Sequence, residues 1–337
     1  MPAPVHPAGV LDSSSALGRD DLLSMEALRS AALSLHGVAV QTPLLPLPAL
    51  SALIQAPVSL KCEQFQPVGA FKIRGAYTAI SRIPLDQRSH GVITYSSGNH
   101  GQAVAFAAQR LGIRAVVVMP QRAPAIKVAG VQRWGGEVVI AGNSSAERYQ
   151  QAQRMAEEQG LTMVPPYESL DVIAGQATCG LEILDAWPQV ETIVVPVGGG
   201  GLIAGMAAAV LALKPSVRVV GVEPVGAPKL ARALEGGQPV TLDHTESLAD
   251  GLLPLAIGEL PFSVLSKVVH QAVQVSESEI VDALRFLHEN AALVVEPSGA
   301  VTTAALLSRR VVPAGPTVSV VSGGNVDPAL FQQLVER

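Results

Sequence analysis

Residues 192–213, TIVVPVGGGGLIAGMAAAVLAL, are the stretch of this sequence that decides the fold class. The stretch contains no charged residue and is long enough to suggest a membrane-spanning helix. Pro196 and the four glycines 198–201 interrupt it in the middle, however, where a helix in lipid would lose backbone hydrogen bonds. A buried strand, a glycine loop and a buried helix explain the pattern better, so the stretch predicts one strand-and-helix unit of an α/β fold.

The alternation of apolar strands and helical segments continues on both sides of this unit. A longer helical segment follows each of the short β-branched runs GVITYS, RAVVVMP and EVVIAG upstream and VRVVGVE downstream. These runs are uniformly apolar, which is typical of strands buried on both faces of a parallel sheet. We therefore predict two open, mostly parallel α/β sheets, with a ligand cleft at the carboxyl ends of the strands. Ser276 with Glu279 predicts a helix capping box, and Gly160 predicts the end of another helix.

Composition narrows the class of protein. The chain has 337 residues, of which 48% are hydrophobic and 15% charged, as expected of a globular protein with a large core. The formal net charge is -5 and the Lys and Arg residues are scattered, so neither nucleic acid nor an anionic membrane is an expected partner. Cys62 and Cys179 are too few for a disulfide framework and lack metal-like spacing, which indicates a reducing, cytoplasmic setting.

Gly198 to Gly201 form a candidate anion site between a strand and a helix. Four glycines let the backbone turn sharply and direct several N–H groups to one point, and the helix N-terminus adds a positive partial charge. The motif is not that of a nucleoside-triphosphate loop, because the lysine of that motif is missing. Glu223 follows at roughly the distance expected for a dinucleotide-binding fold, so that alternative stays open.

Three further clusters lie at predicted strand ends. Lys72, in GAFKIRGA (69–76), is either a surface lysine whose stem covers apolar groups or a desolvated amine suited to a Schiff base. SSGNHG (96–101) is either an ordinary helix N-cap loop or a binding loop, and Ser322 in VVSGGN (320–325) lies in what is by itself an ordinary turn. An anion site, an amine, an amide and a hydroxyl together suit pyridoxal phosphate.

Five blocks of the sequence resemble the serine/threonine dehydratase and serine racemase family, the fold-type II enzymes that depend on pyridoxal 5'-phosphate. The blocks occur in order between Leu44 and Asp327 and are EQFQPVGAFKIRGA, SSGNHGQAVAFAA, VIAGQATCGLEIL, VVPVGGGGLIAGMA and VVSGGNVD. The chain is most similar to threonine dehydratase without its C-terminal regulatory domain. The resemblance implies a large domain (1–85 and 168–337), a small domain (86–167) with the SSGNH loop, the cofactor in the cleft between them, and a homodimer or homotetramer.

The resemblance also assigns roles to residues. Lys72 would be the Schiff-base residue, and Ser97 the acid or base on the opposite face of the cofactor in racemases. The remaining cofactor contacts implied by the family are Phe71 beside the ring, Asn99 at the phenolic oxygen, Gly198, Gly199, Gly200, Gly201 and the Leu202 amide at the phosphate, Gly251 over the other face and Ser322 at the ring nitrogen. The substrate carboxylate would bind Ser96, Ser97, Asn99 and His100.

The expected activity is β-elimination from L-threonine, L-serine or a related β-hydroxy amino acid to a 2-oxo acid and ammonia. A neutral Ser322 at the ring nitrogen disfavours transamination. Glu296, in VEPSGA (295–300), is the other candidate for that position, but its motif matches less fully. An amino-acid racemase with side dehydratase activity is the alternative, because Ser97 is compatible with both activities. A nucleotide-binding protein that uses Gly198–Gly201 is the more distant alternative.

The sequence differs from the family pattern in two places, one of which bears on cation binding and the other on the substrate. Glu223 matches a divalent-cation ligand of the racemase group, but Lys229 stands where a second carboxylate is expected. We therefore predict an internal ion pair and no Mg²⁺ or Ca²⁺ at this place. ADGLLPLAIG also lacks the serines that follow ADG in serine racemase, and Leu252, Leu253 and Leu255 favour threonine or a bulkier substrate over serine.

Overall fold

The fold is a mixture of helices and strands, described by a computed structural model over residues 23–96, 98–142, 144–269 and 271–336. The strands are β1 (Leu44–Pro46), β2 (Val58–Cys62), β3 (Val92–Tyr95), β4 (Ala115–Met119), β5 (Glu137–Ile140), β6 (Thr162–Met163), β7 (Thr192–Pro196), β8 (Arg218–Pro224), β9 (Gln271–Val275) and β10 (Thr317–Val321). The helices are α1 (Met25–Ser34), α2 (Pro48–Ile54), α3 (Lys72–Ser81), α4 (Asn99–Leu111), α5 (Ala125–Arg133), α6 (Ser145–Gln159), α7 (Leu170–Ala186), α8 (Gly201–Leu213), α9 (Lys229–Gly236), α10 (Glu259–Leu265), α11 (Glu277–Ala291), α12 (Pro297–Leu307) and α13 (Pro328–Val335).

The strands form two sheets. The six-stranded sheet has the order β1-β2-β10-β7-β8-β9, and all its pairs are parallel except β1 with β2. The four-stranded sheet has the order β5-β4-β3-β6 and is parallel throughout. The prediction of an α/β fold with two mostly parallel sheets is confirmed. The smaller sheet uses only strands between Val92 and Met163, within the stretch assigned to the small domain; the domain boundaries themselves stay a prediction.

The uniformly apolar strands are buried on both faces. In β7, Ile193 and Val195 pack into the apolar cluster that contains α7 and α8, whereas Val194 packs into the cluster that contains α11 and α12. Side chains alternate across a strand, so both faces of a central strand need apolar residues. Because residues 192–196 form this strand and the glycine loop follows, α8 begins only at Gly201. Within the described ranges no helix is long and apolar enough to cross a membrane.

Local sequence signals at helix ends are also confirmed. The Ser276 hydroxyl accepts from the Glu279 N–H, and the Glu279 carboxylate accepts from the Ser276 N–H, which completes the capping box of α11. Gly160 ends α6 with a φ of 68°, a left-handed conformation that glycine adopts without steric cost.

A buried ion network connects β2 with α3 and α7. The Arg74 guanidinium forms bidentate pairs with Glu63 (2.7 and 2.8 Å) and with Glu182 (2.7 and 2.8 Å). Lys61, on the buried strand β2, adds a bond of 2.5 Å to Glu182, and Thr178 accepts from Arg74 at 3.0 Å. The network therefore holds the first turn of α3, the helix that begins at Lys72.

The sheet topology brings the predicted clusters together. β2, β10 and β7 are adjacent and parallel, so the segments that follow their carboxyl ends lie side by side. The segment after β2 leads to Lys72, the segment after β10 contains Ser322, and the segment after β7 contains the glycine loop. In the smaller sheet, Ser96 follows the carboxyl end of β3 and Asn99 begins α4.

Candidate active site

Lys72 lies at the first position of α3, with its amine directed into the cleft wall. Its Nζ donates a hydrogen bond of 2.8 Å to the carbonyl oxygen of Pro166 and lies 5.2 Å from the centre of the Phe71 ring. Protein groups surround the amine closely enough that desolvation lowers the pKa of Lys72 to about 8. Roughly a tenth of the amine is therefore uncharged at pH 7, far more than in an ordinary lysine, and the uncharged form is the one that a nucleophilic or basic lysine uses.

The glycine loop forms a closely packed cradle at the N-terminus of α8. A β carbon at Gly199 would collide with the ring of Tyr167, and one at Gly201 would lie 3.1 Å from the β carbon of Tyr167. Gly200 has a φ of 96°, which strains any other residue. Leu202 follows in the first turn of the helix and is buried. The backbone N–H groups of this turn have no helical partner, so the loop can bind an anion.

A continuous series of contacts joins the predicted residues around the cleft. The Phe71 N–H donates to the Ser322 carbonyl oxygen at 3.1 Å, and the Ser322 hydroxyl has only a long contact of 3.4 Å to the Ser298 carbonyl oxygen. The Ser298 hydroxyl accepts from the Gly251 N–H at 2.9 Å. The Gly251 carbonyl oxygen lies 3.0 Å from where a β carbon of Gly198 would be. The start of α3 with Lys72, the turn with Ser322, the first turn of α12 and the glycine loop therefore lie next to one another around the cleft.

Two residues, Glu296 and Asn325, form hydrogen bonds with the Asn99 side chain. Its side-chain N–H donates to Glu296 Oε1 at 2.6 Å, and its Oδ1 accepts from Asn325 Nδ2 at 2.9 Å. Asn325 also donates to the Val68 carbonyl oxygen at 2.8 Å. These bonds determine which side of the Asn99 amide is nitrogen, and they leave it one further N–H.

The other residues of the SSGNH loop differ in their surroundings. The Ser96 hydroxyl accepts from the Gly98 N–H at 3.2 Å, whereas Ser97 lies outside the described residues. His100 is buried, and its Nε2 lies 3.1 Å from the Val164 carbonyl oxygen. Burial, with a contribution from the charge of Lys72, lowers the pKa of His100 to about 3, so the ring is neutral. The role of His100 in binding the substrate carboxylate stays a prediction.

The structure places several residues in the site that were not predicted from the sequence. Pro166 and Tyr167 follow β6, and they contact Lys72 and the glycine loop through a segment with no recognisable motif. Ser298 and Asn325 lie within or beside noted motifs, in VEPSGA and SGGN, and that adjacency was the available signal. Lys127 of α5 forms an ion pair across the cleft with Asp250, next to the predicted cofactor contact Gly251; nothing in its local sequence indicated this.

The donor set fits pyridoxal phosphate. The glycine loop at the N-terminus of α8 offers backbone N–H groups to a phosphate, and Tyr167 packs so closely against Gly199 that only glycine fits there. Lys72 offers a desolvated amine, Asn99 an N–H, and the buried Ser322 a hydroxyl that is only weakly bonded elsewhere. These residues together provide a phosphate-binding loop, an amine and neutral hydrogen-bond donors for a ring, which is the combination that this cofactor needs.

The predicted ion pair between Glu223 and Lys229 is present. The Lys229 Nζ lies 3.4 Å from Glu223 Oε1, and both side chains are fully buried. The Glu223 carboxylate also accepts from the N–H groups of Leu230 and Ala231 at 2.8 and 3.0 Å. Burial raises the pKa of Glu223 and lowers that of Lys229, while each charge favours the ionised form of the other.

Because an ammonium group and two backbone N–H groups already surround this carboxylate, we expect no response to divalent cations here. Added Mg²⁺ or Ca²⁺ should leave the Tm of the protein the same as in EDTA, since a ligand that does not bind the native state cannot stabilise it. Differential scanning fluorimetry across a metal titration tests this. A rise in Tm that saturates with metal concentration would contradict the prediction.

Comparison with known proteins gives consistent matches over most of the chain. The model of the family described as pyridoxal-phosphate dependent enzyme matches residues 36–323. An L-threonine ammonia-lyase of Thermotoga maritima is 39% identical over 316 residues, covering 94% of this chain and 79% of that protein. A serine racemase of Oryza sativa subsp. indica is 40% identical over 304 residues, covering 88% and 89%. The structure of maize serine racemase superposes with a TM-score of 0.89 at 38% identity, covering 92% of this chain and 96% of that chain.

Proposed function

Because this chain belongs to the family of pyridoxal-phosphate dependent enzymes, we propose that it is an ammonia-lyase that converts a β-hydroxy amino acid to a 2-oxo acid and ammonia. The observation that carries the proposal is the pairing of a desolvated Lys72 amine with a neutral Ser322 hydroxyl in one cleft. The relatives support the lyase reaction, since they include L-threonine ammonia-lyases and an L-threo-3-hydroxyaspartate ammonia-lyase.

Each part of the cleft has a proposed task toward the cofactor. When bound, pyridoxal phosphate supplies an electron sink for the charge that develops at the substrate's α carbon. Gly198–Gly201 and Leu202 would hold the phosphate, and Phe71 and Gly251 would border the ring. Asn99 and Ser322 would donate hydrogen bonds to its polar atoms.

Lys72 is the proposed base. Its Nζ takes the α-proton of the substrate, and the lowered pKa makes the uncharged amine available for this step. Ser322 carries no charge, so it does not hold a proton on the ring nitrogen as a carboxylate would. This favours loss of the β-hydroxyl over transamination.

The SSGNH loop is the proposed carboxylate site. Ser96 and Ser97, with the backbone N–H groups of Asn99 and its neighbours at the start of α4, provide donors for the substrate carboxylate. His100 is neutral at physiological pH, so it adds no charge, and its single ring N–H is given to the Val164 carbonyl oxygen. Its proposed part is therefore to fix the start of α4 beside the carboxylate.

Threonine or a bulkier β-hydroxy amino acid is the proposed preferred substrate over serine, because Leu252, Leu253 and Leu255 follow ADG where serine racemase has serines. An assay with L-threonine, L-serine and a phenyl-substituted β-hydroxy amino acid, following 2-oxo acid through a coupled dehydrogenase, should give the highest kcat/KM for L-threonine or the phenyl compound. A methyl group in an apolar pocket is worth roughly tenfold in this ratio. A higher kcat/KM for L-serine would contradict the preference but not the reaction.

The second candidate function is amino-acid racemisation, favoured by the similarity to rice and maize serine racemases. Chiral chromatography of the same reactions distinguishes the two, since D-amino acid forming faster than 2-oxo acid would identify a racemase. We further propose a cytoplasmic homodimer or homotetramer, whose mass light scattering would measure and whose location cell fractionation would test.

A further inference from the structure

Glu296 is a buried carboxylate in the cleft that the proposed reaction does not use. It precedes α12, is only 2% exposed, and its Oε1 accepts the 2.6 Å hydrogen bond from Asn99. Its Oε2 is buried and has no hydrogen-bond partner among the residues that the structure describes. Gly323, the residue after Ser322, makes room for it, because a β carbon there would collide with Oε1. A buried carboxylate oxygen without a partner is costly unless it serves a purpose.

Glu296 acts on the Asn99 side chain through the hydrogen bond that it accepts from Nδ2. Asn325 donates to Asn99 Oδ1, and Glu296 accepts from Asn99 Nδ2, so the amide is clamped from both ends. Gly69 allows this arrangement, since a side chain there would collide with Asn325. With one N–H given to Glu296, the second N–H of Asn99 is the one available to the cofactor.

Two charged groups act on Glu296 from other elements. Lys127, on α5, favours the ionised form, and Asp250, in the loop that precedes Gly251, disfavours it; these two form their own ion pair. The neutral Asn99 faces it from α4. Desolvation is the largest influence, and the balance raises the pKa of Glu296 to about 7.

We propose that Glu296 is a positioning residue that fixes the orientation of the Asn99 amide toward the cofactor and carries an exchangeable proton on Oε2. This rests on the proposed function, because it assumes that Asn99 meets the cofactor. In the ionised state Glu296 holds Asn99 through a charge-assisted hydrogen bond. In the protonated state Oε1 still accepts, so the orientation persists while the charge beside the cofactor is removed.

Two substitutions separate orientation from charge. Glu296→Gln retains an oxygen acceptor for Asn99 and is neutral at every pH, whereas Glu296→Ala removes the acceptor. Titrating the cofactor-free proteins with pyridoxal phosphate, we expect Glu296→Ala to raise the Kd roughly tenfold or more, and Glu296→Gln to stay within about threefold of wild type. The visible absorption band of the wild-type holoenzyme should change with pH near 7, and this change should be missing in both variants.

The control is Glu289→Gln, an exposed glutamate on α11, which should behave as wild type in both measurements. Equal Kd values for Glu296→Ala and wild type would overturn the orientation role. A change near pH 7 that persists in Glu296→Gln would overturn the proton-holding role. If wild type itself bound no pyridoxal phosphate, the proposed function would fail together with this inference, an outcome distinct from either of those two.

Discussion

Replacing Lys72 with alanine is expected to lower kcat for 2-oxo acid formation by roughly 10³-fold or more, because the change removes the proposed base from the cleft. The measurement is the coupled assay with L-threonine under saturating cofactor. The exposed Lys267 supplies the control, since Lys267→Ala removes a lysine that is not among the site residues and should retain wild-type activity. Activity of Lys72→Ala within tenfold of wild type would refute the assignment.

The pKa of Lys72 gives this prediction a pH dependence. Capture of pyridoxal phosphate by the cofactor-free protein requires the uncharged amine, so its rate should rise with pH and level off above about 8. A lysine with an ordinary pKa would instead continue to gain reactivity up to about 10.4. Stopped-flow absorbance across this range distinguishes the two, and a rate that still rises steeply above pH 9 would contradict the desolvated environment.

The lowered pKa of Lys72 also predicts that the Lys72→Ala variant folds. The pKa of Lys72 is lower in the folded chain than its ordinary value of 10.5, so the unfolded chain binds this proton more tightly. Burying the charged amine therefore costs stability below about pH 8, and the cost disappears as the pH rises toward 10.5. The cofactor-free variant should unfold at a Tm no lower than that of cofactor-free wild type at pH 7, so lost activity is not explained by lost folding.

Replacing Arg74 with methionine is expected to destabilise the protein by about 3–5 kcal/mol, because it leaves Glu63 and Glu182 without their shared partner. Glu63 is fully buried, so its charge cannot be hydrated in the variant. Urea unfolding monitored by circular dichroism measures the change. Loss of less than about 1 kcal/mol would show that the network does not hold α3.

The matched control is Arg114→Met. Arg114 also forms a bidentate pair, with Glu137 at 2.8 Å for both bonds, but both side chains are exposed. Exposed pairs contribute about 0–1 kcal/mol, so this variant should unfold close to wild type. The two substitutions remove the same chemical group, but Arg74→Met leaves a fully buried carboxylate without its partner, whereas Arg114→Met leaves an exposed one.

Acid should reduce the difference between Arg74→Met and wild type. Burial alone would raise the pKa of Glu63, but Arg74 outweighs it and holds the pKa at about 2. A carboxyl with a lowered pKa in the folded state contributes stability above its unfolded pKa, and the contribution is lost as the pH falls from about 4.5 toward 2. The destabilisation by Arg74→Met should therefore be largest near neutral pH and smaller near pH 3.

Local sequence was sufficient for the fold class and for the main parts of the cleft. The uniformly apolar run that ends at Pro196 and the glycines favours a strand buried on both faces, and four consecutive glycines before a helix are suited to close backbone approach. Lys72, Asn99 and Ser322 were found because each follows a predicted strand, and parallel strands place such residues at one edge. The family resemblance then supplied their roles.

The tertiary structure alone decided which side chains support these residues. Pro166 accepts from Lys72 across 94 positions of the chain, and Glu296 accepts from Asn99 across 197. The lowered pKa of Lys72 likewise depends on desolvation by residues remote in sequence. Periodicity and motifs report what each segment needs locally, namely a buried face, a turn or a cap. They contain no information about which distant polar group fills a given place, because that is settled only when the sheets and helices pack and each buried donor must find an acceptor.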